Sequence, residues 1–467
     1  MSQTIRVPIV SGVKASETGE FVTTYPVNRE HVLRDIGLAE GYLSAPDGIT
    51  LKAMGTGEDR GGINWNDVCY RVMGSYLVRV NADWTVDNLG DVGSGGPVRL
   101  DYDFDDLIIN SGNRLYYWNP VNGLRQVTDP DLGAVVDAVF TDGYTMTTDG
   151  EFLVVNDLNN KFSINPLKYG SAEDSPDPVT GLERLRGEVL AFGRYTTQVY
   201  QNIGGAGFPF QTVKTATVPY GCVGARAKAK FAGTVAFVGG QERAAIGVYL
   251  LTAGDAVKLS PAELDNDLAD LTDDELAAVW IEARVRQDDQ RLLVHLPKRT
   301  WSFSQQVSSK GQVKAWCTYV TSGTPEGRYE GRGHVFCYGQ WIVGSSLGEV
   351  GVLDSATAKH YGREVCWQFD TTLFYNDGNK AILTGIELIG TPGRGTSDSR
   401  VSFSYTKDGE VWSMERFTTA GRNGQHTRKV AWRPGIRFET YMGLRFRGFD
   451  GSLMSVARLE CDVEPLA

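Results

Sequence analysis

Four groupings of residues in this 467-residue chain carry side chains that could do chemistry. Gly344-Ser-Ser-Leu-Gly348 fits the G-x-S-x-G form of a serine nucleophile held on a sharp turn. That chemistry needs a strand before the serine and a helix after it. Here Trp341-Ile-Val343 leads in and Val350-Gly-Val-Leu353 follows, so the spacing predicts a hairpin turn and no nucleophile. Asp101-x-Asp103-x-Asp105 opens like a calcium loop, but Asp106 stands where the loop needs glycine and no glutamate follows at its twelfth position. The five histidines show no spacing of a zinc pair. Arg71, Arg79, Arg99 and Arg114 are the one set that could receive a carboxylate-bearing sugar, provided the fold makes them converge. No catalytic, metal-binding or cofactor-binding residue is therefore expected.

Two further features speak of fold. Ser404-Tyr-Thr-Lys-Asp-Gly-Glu-Val-Trp412 resembles the Asp-box hairpin of sialidases and of many β proteins without activity, where Asp-Gly makes a tight turn and Trp covers it. The box is structural and does not imply catalysis. Cys69, Cys222, Cys317, Cys337, Cys366 and Cys461 form no C-x-x-C pair, and buried thiols are expected of them.

The elements that must carry these residues repeat. Leu107-Ile-Ile-Asn-Ser-Gly-Asn-Arg-Leu-Tyr-Tyr-Trp-Asn-Pro120 aligns without a gap on Leu153-Val-Val-Asn-Asp-Leu-Asn-Asn-Lys-Phe-Ser-Ile-Asn-Pro166. Each reads as strand, polar turn and return strand, and weaker copies start at Cys69, Leu190 and Leu292. Hairpins repeating at such spacings predict a β-propeller over Asn64–Asp354, because one hairpin cannot bury its faces alone. Six blades are expected, with seven as the alternative, and the two aligned hairpins should hold equivalent blade positions.

Composition agrees: 41% hydrophobic and 22% charged residues suit a globular protein, and 55 glycines suit many tight turns. No run of eighteen apolar residues offers a membrane span. The opening MSQTIRVPIV does not read as a secretory signal, which points to synthesis finishing in a cytoplasm. A net charge of −11 argues against ordinary DNA binding, which needs clustered Lys and Arg. Three regions are expected: a lead-in over 1–60, the propeller over 61–360 and an antiparallel β-sandwich over 361–467. A helical insertion near 260–286 interrupts the propeller. Ser260-Pro-Ala-Glu263 and Thr272-Asp-Asp-Glu275 read as capping boxes, and Leu276, Val279, Trp280 and Ala283 as the stripe of an amphipathic helix.

Tyr25-Pro-Val-Asn28, Gly41-Tyr-Leu43 and Gly48-Ile49 resemble the opening of the packaged-DNA stabilisation proteins of short-tailed bacteriophages, also called tail hub or nozzle proteins. Thr272-Asp-Asp-Glu-Leu-Ala277 followed by Leu292-Leu-Val-His-Leu-Pro297 matches in order and separation. The resemblance implies a structural virion-tail protein assembled in the host cytoplasm. Six copies would form a ring below the portal and its adaptor, extend the DNA channel, help retain DNA, and support a needle, spike or fibres. It implies contact with passing double-stranded DNA without sequence recognition, and no membrane insertion.

Charge is unevenly spread. Eight Lys or Arg face two Glu between Val411 and Arg447, whereas Glu263 to Glu275 holds seven acids and no base. Subunit contacts that pair Arg428, Arg433 and Arg437 with Asp265, Asp270 and Glu275 would use that polarity. A glycan-binding or sialidase-like propeller is the alternative, motivated by the Asp-box hairpin and 49 aromatic residues, and its site would need the four arginines to converge. A cytoplasmic scaffold unrelated to phage would account for the repeats but not for the ordered family segments.

Overall fold

In the computed structural model, which describes residues 3–466 except 17, 159, 172–176, 206, 312–313, 377–378, 396–397 and 450, the hairpins close into a ring of seven sheets. The innermost strands are Asp59–Trp65, Arg99–Tyr102, Asp137–Thr141, Val179–Leu185, Lys228–Phe231, Trp280–Arg286 and Arg332–Cys337. Seven blades, not six, is the count. The hairpins at Cys69, Leu107, Leu190, Val235, Leu292 and Val335 and the one at Tyr144 each supply a separate sheet. The seventh sheet looks short in sequence because its outer strand comes from far upstream. Gly48–Met54 pairs antiparallel with Glu349–Asp354 and so locks the ring.

Each seam between blades is filled by its own apolar cluster, as the alternating patterns demand. Trp65, Tyr70, Leu107 and Trp118 join blades one and two, while Cys69, Val78, Val335 and Val350 join blades one and seven. The largest cluster runs through blades four, five and six and takes in Leu264, Leu268 and Leu276 of the helical insertion.

Three expectations need correction. Leu107–Pro120 supplies the second and third strands of blade two, but Leu153–Pro166 supplies the third and fourth of blade three. The two hairpins are therefore not equivalent; Asn159, the turn residue of the second, lies outside the described residues. Every neighbouring strand pair in a blade shows the same alternation, so the pattern alone could not set the register. The helical insertion is shorter than expected: helices span Ala262–Ala269 and Asp273–Ala277, and Trp280–Arg286 is a strand. Pairing of Trp280 with His295 and of Ala283 with Leu292 in blade six overrides the helical spacing. An unexpected helix, Gln305–Gly311, precedes the outer strand Trp316–Tyr319.

The segment 1–60 does not stand apart as a lead-in. Gln3–Val7, Glu30–Leu33 and Gly41–Ser44 join a sandwich sheet with Val456–Pro465, Ala381–Gly390, Val430–Trp432 and Ile436–Phe438. The facing sheet holds Trp367–Asp370, Tyr441–Gly448, Arg400–Thr406 and Arg416–Thr419. Leu43, Phe369, Leu383, Phe403, Phe446 and Cys461 are among the side chains that fill the space between them.

Candidate assembly surfaces and buried polar seams

The segment Tyr25–Asn28 stitches the propeller to the sandwich. Val27 exchanges backbone hydrogen bonds with Gln368 of the sandwich at 2.8 and 3.1 Å. On its other side, Thr318 of blade six donates to Pro26 O and Asn28 N donates to Thr318 O, both at 2.8 Å. Asn28 adopts φ 49°, a left-handed conformation that Asn tolerates better than most residues. Its Nδ2 donates to Val320 O and Cys366 O at 3.0 and 2.7 Å, and Val320 N donates to its Oδ1 at 3.1 Å. Tyr25 donates to Glu263 Oε2 and packs edge-on to Trp301 with ring centres 5.1 Å apart. Glu263 is thereby spent on Tyr25 and on Thr23 N, so the expected Ser260–Glu263 capping box does not form. The Thr272–Glu275 box does.

Beside the stitch lies a buried ionic cluster. Glu30 takes Arg291 Nη2 at 3.3 Å, Arg284 Nη2 at 3.4 Å, and contacts from Arg286 and the Tyr319 hydroxyl. Asp47 and Asp289 complete it, so three acids balance three guanidiniums. Burial alone would raise the Glu30 carboxyl, but Arg291, Arg286 and Arg284 reverse that and hold it at about 2. Nothing in the sequence marked Glu30, because its partners lie more than 250 positions away.

The other candidate residues are structural. Ser346 of the G-x-S-x-G stretch sits on the turn of a blade-seven hairpin and donates to Glu330. Asp103 and Asp106 share Lys161 Nζ, so an ammonium stands among the acids of the calcium-like stretch. Arg71 is fully buried on Asp59, Arg79 pairs with Asp87, Arg99 with Glu183, and Arg114 is exposed; they come from different strands and do not form one anion pocket. Asp408 accepts from Val411 N, Thr406 Oγ1 and Glu410 N, which lowers its carboxyl, and Trp412 carries the Arg445 guanidinium 3.9 Å above its ring. All six cysteines are free and buried, and burial pushes Cys69 up to about 11 and Cys317, Cys366 and Cys461 to about 12.

Of the assembly set, Arg428, Arg433 and Arg437 are exposed together along the sandwich edge formed by Val430–Trp432 and Ile436–Phe438. Among the described residues, Arg437 pairs with the exposed Glu439 at 3.5 Å. Asp270 is exposed at the end of helix Ala262–Ala269. Asp265 is half-buried, paired with Lys258 at 2.6 Å and accepting from Ser260 Oγ, and Glu275 is held by its capping box. Among the described residues no ion pair joins the basic set to the acidic one within the chain.

Two family models match this architecture in order: bacteriophage P22 Gp10, beta-propeller, over residues 5–358, and bacteriophage P22 Gp10, beta-sandwich, over residues 366–464. The chain belongs to the bacteriophage P22 Gp10 family. It is 23% identical over 488 residues to tail hub protein gp10 of Salmonella phage P22, covering 98% of this chain and 99% of that one. Family membership makes it a structural protein of a phage tail hub, located in the virion tail. Among solved structures it resembles the Pan2 WD40 domain of Neurospora crassa (TM-score 0.42, 12% identity, 65% of this chain and 94% of that one). The N-terminal domain of Nup159 is similar at TM-score 0.41 and 10% identity, over 75% of this chain and 98% of that one.

Proposed function

We propose that six copies of this chain close a ring below the portal and its adaptor, extend the channel through which double-stranded DNA leaves, and help to keep packaged DNA in place. The single observation that supports this most is the end-to-end correspondence with the P22 tail hub protein, propeller and sandwich in the same order. Charge suits the role. A ring of six subunits at −11 each repels phosphate, so DNA slides through without a sequence-specific grip. The exposed arginines 428, 433 and 437 then serve contacts between copies or with the adaptor, and Asp270 is the most available of the acidic partners. Needle, spike or fibre proteins attach to the ring, and assembly takes place in the host cytoplasm. The chain acts without catalysis, and buried pairs such as Lys228 with Asp137 link one blade to another. The test is a phage in which this gene is interrupted. Particles should package DNA and then lose it, and purified protein added back should restore retention. Particles that keep their DNA without this chain would overturn the proposal.

A further inference from the structure

The seam between blades six and seven holds a group of ligand-type side chains that a tail-hub role does not require. Glu282 lies on the innermost strand of blade six, His295 ends the next strand, and His334 comes from the innermost strand of blade seven. One ligand atom from each falls within 4.8 Å of the others, and no other such trio of described residues does so. His295 Nε2 stands 2.6 Å from Glu282 Oε1, and His334 Nδ1 stands 3.1 Å from the same oxygen.

His334 is the decisive residue. Its side chain is wholly buried, Nδ1 faces the Glu282 carboxylate, and Nε2 has no hydrogen-bond partner among the described residues. A neutral imidazole carries one N–H and one lone pair, and leaving the buried Nε2 without a partner is costly. The surrounding contacts are those that orient metal ligands. Gly333 N and His334 N donate to the two Glu282 oxygens at 3.1 and 2.7 Å. Thr300 Oγ1 lies 3.1 Å from His295 Nδ1, and the Tyr329 ring stacks at 10° to the imidazole. Of the three, His295 alone also lines a cavity of about 260 Å³, with Thr300, Tyr329, Asp59 and Glu58.

We propose that this seam binds one divalent transition-metal ion of the zinc class through Glu282 Oε1, His295 Nε2 and His334 Nδ1. Two imidazoles and a carboxylate are a common zinc donor set, and a water would complete the tetrahedron. The ion braces blade six against blade seven, the blade whose outer strand closes the ring. The sequence concealed the set, because Glu282 is 13 positions from His295 and 52 from His334, and only propeller closure brings them together.

Untagged protein titrated with Co²⁺ should develop the visible absorption of a tetrahedral site at one equivalent, and Zn²⁺ should displace it and raise the melting temperature. EDTA should lower the melting temperature of wild-type protein, with Zn²⁺ restoring it. Glu282→Gln and His334→Gln should each weaken Co²⁺ binding at least tenfold, whereas His426→Asn, away from the seam, should not. A wild-type protein showing neither the Co²⁺ band nor a Zn²⁺-dependent shift would overturn the proposal. So would a band that survives in His334→Gln. Should a variant fail to fold, the EDTA and Zn²⁺ response of the wild type decides.

Discussion

Replacing Glu30 by Gln removes one negative charge from a buried cluster of three acids and three arginines, leaving a net positive charge where the N-terminal segment crosses blade six. The carboxyl falls from an ordinary 4.5 to about 2 in the folded protein. That drop corresponds to about 3 kcal/mol of stability at neutral pH, and breaking a buried pair costs about 3–5 kcal/mol by comparison. Glu30 is fully buried, so no discount for solvent screening applies. The sign follows from the depressed value. Stability is fully present above pH 4.5, where the unfolded carboxyl is also ionised, and is lost as pH falls toward 2. Linkage puts the remaining contribution at about 1.5 kcal/mol by pH 3. Urea unfolding of the two proteins at pH 7, 5, 4 and 3 measures it directly. The gap between them should be about 3 kcal/mol at pH 7 and shrink by about half at pH 3. A gap of equal size at pH 3 and pH 7, or one below about 1 kcal/mol at pH 7, would refute the reasoning.

Asn28→Ala strands three buried backbone partners and strains a left-handed position; a loss of about 2–4 kcal/mol is expected, with faster proteolytic cleavage between propeller and sandwich. Gly239→Ala places a methyl 1.7 Å from Gly221 O, backbone that cannot swing aside, so about 1–3 kcal/mol should be lost in thermal unfolding. The double variant Arg433→Glu, Arg437→Glu alters only exposed side chains and should leave the melting temperature within a few degrees of wild type. The same variant should fail to complete phage particles or yield particles that leak DNA; normal infectious particles would remove those arginines from any interface.

Much of the fold was legible because strands announce themselves through local alternation. The hairpins at Cys69, Leu107, Leu190 and Leu292 all occupy second and third strands of their blades. The copy at Leu153 was one strand out, since a four-stranded blade repeats the same alternation three times over. The strand Trp280–Arg286 carried a helical spacing that sheet pairing overrode. The polar seams were not legible for a simpler reason. Glu30, Asn28 and the Glu282 group depend on partners tens to hundreds of positions away, and such contacts leave no local periodicity. Tyr25-Pro-Val-Asn28 did stand out, as a family resemblance, but its work as the stitch between two domains appears only once blade six and the sandwich are side by side.

The central claim, a hub ring built of six copies in the virion tail, is tested most directly by an asymmetric cryo-electron microscopy reconstruction of the mature particle. The account predicts six copies of this propeller and sandwich around the channel, directly below the adaptor, with arginines 428, 433 and 437 at contacts and not along the lumen. A different copy number, a location away from the channel, or a lumen lined by those arginines would contradict it.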